Sequence, residues 1–276
     1  MAASAKYEVL EAGMTHKDPM GDRLKQYEAI ETSRRCDPAK PILVRLDGRA
    51  FHTFTRGLAR PYDKRLSDLM VETTRYLVEQ THARLGYTQS DEITLVYAYE
   101  EGSQPLFGGK IHKLTSLLAG EASAKFALGL AQALPEKVGS VPSFDARVFQ
   151  VPSKEEAANV VLWRWFDARK NSVSMLAQSL FSHQELQGKD GLQMKDMCAE
   201  KGHIWEDYPD FFKWGSFLQR KTVERLLTQE ELAKIPEKHR PTGPVKRSHV
   251  EVLCLPPLVD IQNRMEVIFE GAEPLV

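Results

Sequence analysis

Apolar positions along this chain recur at two periods, one helical and one alternating. Leu24, Tyr27 and Ile30 stand at near-helical spacing between Asp22 and Arg35, so a short amphipathic helix is predicted there, ended by Asp37, Pro38 and Pro41. The residues before it, up to about Met20, read as a loose leader. Ile42 to Leu46 is an apolar run broken only by Arg45, the pattern of a mostly buried strand. Asp47-Gly48 and an irregular segment to Pro61 follow, and Asp63 is placed to cap a long helix. The apolar face of that helix is read as Leu66, Leu69, Met70, Thr73, Leu77 and Leu85. A short segment ends in Gln89-Ser90-Asp91-Glu92. A strand from Ile93 to Tyr97 comes next, with Ile93, Leu95 and Tyr97 on one face. Lys110 to Leu134 has helical spacing through Ile111, Leu114, Leu118, Ala122 and Phe126, and Phe144 to Val151 reads as a further strand.

This order, strand, helix, strand–turn–strand, helix, strand, is the β-α-β-β-α-β pattern. The predicted fold class is α+β: a ferredoxin-like antiparallel sheet with helices on one face, followed by a C-terminal α/β extension. In that extension Ser153-Lys154-Glu155-Glu156 has capping-box spacing before a helix reaching about Phe181, and Thr228-Gln229-Glu230-Glu231 repeats the signature. Val250, Val252 and Cys254 alternate, as do Val267 and Phe269, predicting two late strands around the break at Pro256-Pro257. Ferredoxin-like sheets serve RNA-binding modules, nucleotide cyclases and polymerase palms, so fold alone does not choose a function.

With 276 residues, 42% hydrophobic and 27% charged, the chain fits one large domain or two intimate ones and excludes disorder, collagen and coiled coil. No stretch approaches the roughly 20 apolar residues of a membrane helix. The N-terminus has no basic segment followed by an apolar core, so no secretory signal is evident. Cys36, Cys198 and Cys254 are too few and too far apart for a disulfide framework or a thiolate zinc site, which suggests a reducing, cytoplasmic setting. A net charge of −1 argues against a general nucleic-acid coat and requires any RNA-binding surface to be local. Arginines and lysines do cluster, as at Arg164, Arg169 and Lys170 or at Lys246 and Arg247, and each cluster alone reads as a solvated face.

The chemistry concentrates at strand ends. Asp47 follows the first strand, and Asp91 and Glu92 sit at the hairpin between two others. Neighbouring strands in this topology bring Asp47 and Asp91 to one rim. Two carboxylates so close repel when ionised, and a divalent cation removes the penalty. Mg²⁺ suits such oxygen donors and keeps waters for substrate phosphates, as two-metal phosphoryl or nucleotidyl transfer requires. Asp-Gly after a strand and Ser-Asp-Glu at a hairpin also serve as plain turns, and the residues alone leave both readings open. Gly48 and Ala50 let backbone N–H groups approach a triphosphate, with His52, Arg60, Lys110 and Lys113 as cationic donors. His52 reads otherwise as a partly buried histidine. Phe51, Phe54, Tyr97 and Trp163 read as core residues.

Leu43-Val44-Arg45-Leu46-Asp47-Gly48-Arg49-Ala50-Phe51-His52 resembles the first signature of the tRNA(His) guanylyltransferase family and its guanylyltransferase-like relatives, the 3′-to-5′ nucleotide-adding enzymes. Tyr87 to Glu92 resembles the second signature, a Gln-Ser-Asp-Glu hairpin. Pro142-Ser143-Phe144-Asp145-Ala146-Arg147 is similar to a third, and Pro209 to Gly215 to a late Pro-x-x-Phe-Lys-Lys-Gly segment, all in the family's order.

The resemblance implies that Asp47 and Asp91 hold two Mg²⁺ ions, with the Gly48 carbonyl as a further ligand and Glu92 as the third acidic residue of the catalytic centre. It implies that the backbone from Gly48 through Arg49, Ala50 and Phe51 to His52, with Ser90, binds a nucleoside triphosphate. Arg60 stands where the family has a phosphate-contacting Lys before Pro, and Lys110 and Lys113 stand in its basic helix, facing a second triphosphate. ATP and GTP are the implied substrates, together with tRNA or a tRNA-like RNA. The implied assembly is a homotetramer without membrane contact. Residues 1–21 are then a leader, 22–152 the palm-like catalytic core and 153–276 a family-specific C-terminal region.

One segment departs from the family. Members dedicated to tRNA(His) carry His-Ile-Asn-Asn-Leu-Tyr-Asn shortly after the middle helix's Asp, whereas here Asp167 is followed by Ala168-Arg169-Lys170-Asn171-Ser172-Val173-Ser174-Met175. Only Asn171 survives, so addition of templated nucleotides to 5′-truncated RNA fits at least as well as strict tRNA(His) guanylylation. A cyclase-like or other palm-fold nucleotidyltransferase with a different acceptor is the rival enzyme. A non-catalytic RNA-binding module on the same sheet is the rival from another class, and it needs no acids at Asp47 and Asp91.

Overall fold

The computed structural model describes residues 18–276, so the leader reading falls outside the described residues up to Lys17. Helix α1 runs over Pro19–Thr32, starting three residues earlier than its periodicity suggests because Asp18 caps it, accepting from the Gly21 N–H, and Pro19 fits the first turn. It buries no residue. Leu24, Tyr27 and Ile30 form a stripe that the single chain leaves exposed.

Strand β1 (Ile42–Gly48), a one-turn helix α2 (Phe51–Phe54), helix α3 (Lys64–Thr81), strands β2 (Leu85–Gln89) and β3 (Glu92–Tyr97), helix α4 (Ile111–Ala133) and strand β4 (Phe144–Gln150) follow the expected order. Leu85 opens β2 and does not belong to the face of α3, because His82, in the left-handed region, ends the helix first. Helix α5 (Lys154–Leu180) is one uninterrupted rod of 27 residues that begins where Ser153 accepts from the Glu156 N–H. The short helices α6 (His183–Leu186), α7 (Gly191–Glu200) and α8 (Asp210–Trp214) come next. Strand β5 (Ser216–Arg225), helix α9 (Gln229–Ala233), strand β6 (Val245–Leu253) and helix α10 (Arg264–Glu270) complete the chain.

All six strands form one antiparallel sheet in the order β4-β1-β3-β2-β5-β6. The first four have the ferredoxin-like order, and β5 and β6 extend the sheet beyond β2. Strand β5 has a polar second half, Arg220 to Arg225, which hides its alternation in the sequence. The late strand expected around Val267 and Phe269 is instead helix α10. Val267, Ile268 and Phe269 are all buried, a run that alternation cannot produce, and Gly271 in the left-handed region ends the turn.

The sheet is covered on both faces, which explains the near-continuous apolar sequence of β1. Ile42, Val44 and Leu46 pack with α3 and α4, whereas Leu43 packs with α5 and α10. The helices of the β-α-β-β-α-β unit lie on one face, and the C-terminal extension supplies the cover for the other. The second half of α5 leaves the sheet and forms a third core with α6 to α8 through Leu176, Leu186, Cys198, Trp205 and Phe212.

Asp63 caps α3 as its position suggests. Its carboxylate accepts from the Ala59 and Arg65 N–H groups and from the Arg65 guanidinium at 2.8–3.2 Å. The hydrogen bond from Arg65 is the main reason its carboxyl is held down to about 2. Arg65 also reaches Glu136 at 2.7 Å, tying α3 to the segment after α4. The Asp63 stabilisation is complete above the ordinary carboxylate range and is lost as pH falls from about 4 towards 2. Asp63→Ala should cost about 1–2 kcal/mol at neutral pH in chemical denaturation, and the gap from the native protein should close over that acidic range.

Candidate active site

Backbone pairing fixes the site. Asp47 lies opposite Glu92 of β3 and opposite Asp145 of β4, so three carboxylates cross three adjacent strands on one face. The neighbouring row on that face is Thr94, Arg45 and Arg147. Arg147 approaches Asp47 at 3.9 Å and Asp145 at 3.6 Å, and Arg45 approaches Glu92 at 3.8 Å. The acidic row is thus partly balanced by a basic row one pleat away.

Asp91 enters from the hairpin. Ser90 takes the left-handed conformation in a two-residue turn, and the Gly48 N–H donates to the Asp91 carbonyl at 3.0 Å, locking the turn to the end of β1. Burial pushes the Asp91 carboxyl up, and the charge of Asp47 pushes it further, against hydrogen bonds from its own backbone and Ser90 and the charge of His52. Asp47 and Asp91 are therefore brought together, as topology predicts. Glu92 is not free at the rim: Arg164 of α5 grips it through two hydrogen bonds of 2.6 and 2.8 Å.

Two cavities meet at this rim. The larger, of about 600 Å³, is lined by Asp47, Gly48, Ala50, Phe51, His52, Arg60, Ser90 and Asp91 together with Tyr62 and Phe212. The smaller, of about 350 Å³, shares Asp47, Ser90 and Asp91 and adds Glu92, Arg164, Asp167, Asn171 and Ser174. Ala50 has φ of 55°, and among the described residues the N–H groups of Ala50, Phe51 and His52 bond to no backbone carbonyl or side chain. Successive free N–H groups at such a bend make a concavity for anions. The Phe51 side chain points the other way, into a cluster with Phe54, Phe126 and Phe144 at centroid distances of 5.0–5.4 Å. His52 is exposed, not partly buried.

Three expected binding residues do not line either cavity. Arg49 is exposed, with its N–H donating to the Ser143 carbonyl. Lys110 forms a bridge with Arg35 beside the start of β1, the end remote from Asp47. Lys113 is in the first turn of α4, about 20 Å along the axis from Phe126, which is the residue that reaches Phe51. Trp163 is half-exposed and not core, with the Arg45 and Arg164 guanidinium groups over its ring. Arg164, which looks like part of a solvated basic cluster, is buried. Sequence reading missed Arg164 and Arg147; register with Asp47 could have found Arg147, but nothing local marks Arg164.

The donor set suits a hard divalent cation. Asp47 and Asp91 offer oxygen ligands, and Asp91 has no lysine or arginine bonded to it among the described residues. No group of three or more His, Cys, Asp or Glu side chains able to hold a metal occurs among the described residues.

A ferredoxin-like sheet with paired strand-end carboxylates beside a loop of free backbone N–H groups fits a nucleotidyltransferase, and the relatives of the chain are of that class. The family model for tRNAHis guanylyltransferase matches residues 21–152. A bacterial tRNA(His) guanylyltransferase (Thg1)-like protein in complex with ATP is 36% identical, with 73% of this chain and 87% of that one covered at a TM-score of 0.69. Such a bacterial protein in complex with GTP is 30% identical, with 88% and 94% covered at 0.68. The tRNA(His) guanylyltransferase of Schizosaccharomyces pombe is 25% identical over 222 residues, covering 75% of this chain and 83% of the relative. The chain belongs to the tRNA(His) guanylyltransferase (Thg1) family.

Gly48 leaves room for nothing larger. A Cβ there would lie 2.4 Å from the Phe51 ring. Gly48→Ala should therefore displace Phe51 from its aromatic cluster, costing about 1–3 kcal/mol in thermal or chemical unfolding. It should also weaken binding of a nucleoside triphosphate measured by calorimetry.

Proposed function

We propose that this protein adds nucleotides in the 3′-to-5′ direction to the 5′ end of tRNA or a tRNA-like RNA, with Mg²⁺, after ATP-dependent activation of a 5′-monophosphate. The observation that carries this reading is the shared rim: Asp47, Ser90 and Asp91 line both cavities, so two phosphate-bearing substrates can meet at the same carboxylates. The larger cavity, with its free backbone N–H groups, His52 and Arg60, suits a nucleoside triphosphate. The smaller one sets the amides of Gln89, Asn171 and Gln178 and the hydroxyls of Ser90 and Ser174 beside four carboxylates, and would take the RNA end once metal ions offset that negative charge. ATP and GTP bound to Thg1-like relatives support nucleotide substrates.

Asp47 and Asp91, with the Gly48 carbonyl, would hold the metal ions. When bound, these neutralise phosphate charge and acidify an attacking hydroxyl. The chain's own residues then orient the partners. The backbone from Ala50 to His52 holds the triphosphate, and Arg60 and His52 add positive charge along it. Activation joins the ATP α-phosphorus to an oxygen of the RNA 5′-phosphate and releases pyrophosphate. In the second step the 3′-hydroxyl of the incoming GTP, or of another templated nucleotide, attacks the RNA phosphorus and releases AMP. The altered segment from Arg169 to Met175 favours an RNA range broader than tRNA(His) alone.

The test incubates the protein with Mg²⁺, ATP and the four nucleoside triphosphates. The acceptors are 5′-monophosphorylated tRNA(His) and a different tRNA lacking its first nucleotide. The truncated tRNA should be extended at its 5′ end, with at least a roughly 10²-fold loss in Asp91→Ala. Failure to extend either RNA while nucleotide binding persists would sink the reading. We also place the protein in the cytoplasm; among the described residues no helix is long and apolar enough to cross a membrane. The assembly we propose is a homotetramer, with the exposed stripe of Met20, Leu24, Tyr27 and Ile30 on α1 as an apolar surface available for self-association. Light scattering should then return four times 31.3 kDa.

A further inference from the structure

The most deeply held charge beside the rim takes no part in the steps above. Arg164 is buried in the middle of α5, a position where a long helix facing a sheet ordinarily carries an apolar residue. Its guanidinium is held through Nε and Nη2. Nε donates to one Glu92 oxygen at 2.6 Å, Nη2 donates to the other at 2.8 Å, and Nη2 also donates to Asp167 at 2.8 Å. The Trp163 ring lies 4.5 Å from its central carbon. Asp167 in turn accepts from the Asn171 side chain at 3.2 Å.

We infer that Arg164 is a positioning residue that holds Glu92 out of the metal site and fastens the Asp91 hairpin to α5. This rests on the reading of Asp47 and Asp91 as the catalytic carboxylates. Glu92 stands directly across from Asp47 and next in sequence to Asp91. Swung to the rim, it would be a third carboxylate where two already repel. Both of its oxygens are instead bound by one planar fork, a match that arginine provides and lysine does not. The backbone follows the side chain. The Glu92 carbonyl accepts from the Thr88 hydroxyl at 2.9 Å, and the preceding Asp91 carbonyl accepts from the Gly48 N–H. Fixing Glu92 from above therefore fixes the peptide that aims Asp91. The same clamp lies under the smaller cavity, where Glu92, Arg164, Asp167 and Asn171 all contribute to the lining. The RNA-facing helix and the metal-holding hairpin are thereby set at one spacing.

The test is a cycle of Arg164→Met, Glu92→Gln and the double variant, with Arg164→Lys beside them. Three properties are read on the full-length protein: melting temperature, nucleoside triphosphate affinity with Ca²⁺ in place of Mg²⁺, and kcat against KM for 5′ extension. Arg164→Met strands a buried carboxylate, so its melting temperature should fall by several degrees, and the double variant should recover part of the loss. The kcat of Arg164→Met should fall by about 10²-fold with KM and nucleotide affinity little changed. Once Glu92 is replaced by Gln, removing Arg164 should cost less than about threefold more. Arg164→Lys should fall between the native protein and Arg164→Met.

Equal losses from Arg164→Met in the native and Glu92→Gln backgrounds would overturn the inference, as would a loss carried wholly by nucleotide affinity. If the native protein extends no RNA, the catalytic reading fails. Recovery of melting temperature in the double variant would still report the clamp itself, and its absence would refute the clamp independently.

Discussion

Two carboxylates that repel each other are held together here by main-chain hydrogen bonds, and the rest of the site is arranged around that constraint. The pairing of Asp47 with Glu92 across β1 and β3, and the bond from Gly48 to the Asp91 carbonyl, leave neither acid free to move apart without unzipping the sheet. Burial is the main reason the Asp91 carboxyl is pushed up, and the Asp47 charge adds to that push. Arg147, at 3.9 Å from Asp47 and half-exposed, is too distant and too wet to cancel it. Charge neutralisation is left to what binds.

The surroundings supply rigidity on two sides. Beneath the loop from Gly48 to His52, Phe51 anchors the backbone in the same aromatic cluster that joins α4 to β4. Above the hairpin, α5 reaches down with Arg164 while its far half is embedded in a separate core around Trp205. Each of the three cores supports one part of the rim: one holds the loop, one the strands, and one the far half of the helix whose Arg164 bonds the hairpin.

Much of this was legible in the sequence wherever one physical signal dominated. The apolar run from Ile42 to Leu46 marked a mostly buried strand, Asp63 marked the start of α3, and the paired strand-end acids followed from topology. Signals that depend on partners far along the chain were not legible. Lys110 and Lys113 carry the right charge for a triphosphate, but helix rise sets Lys113 about 20 Å along the axis from the part of α4 that touches the loop. Arg164 reads as one more surface cation until Glu92 is placed beneath it. Strand β5 and helix α10 were missed for opposite reasons, the first because its outer half is polar, the second because its brief apolar run imitates alternation.

The sheet is open, and its order leaves β4 and β6 as edges. Unpaired strand edges invite pairing with other chains. Each edge here carries charge along its length, Asp145 and Arg147 on β4 and Lys246, Arg247, His249 and Glu251 on β6. Along β4, Asp145 and Arg147 therefore stand both beside Asp47 and on an open edge, where charge disfavours the addition of another strand.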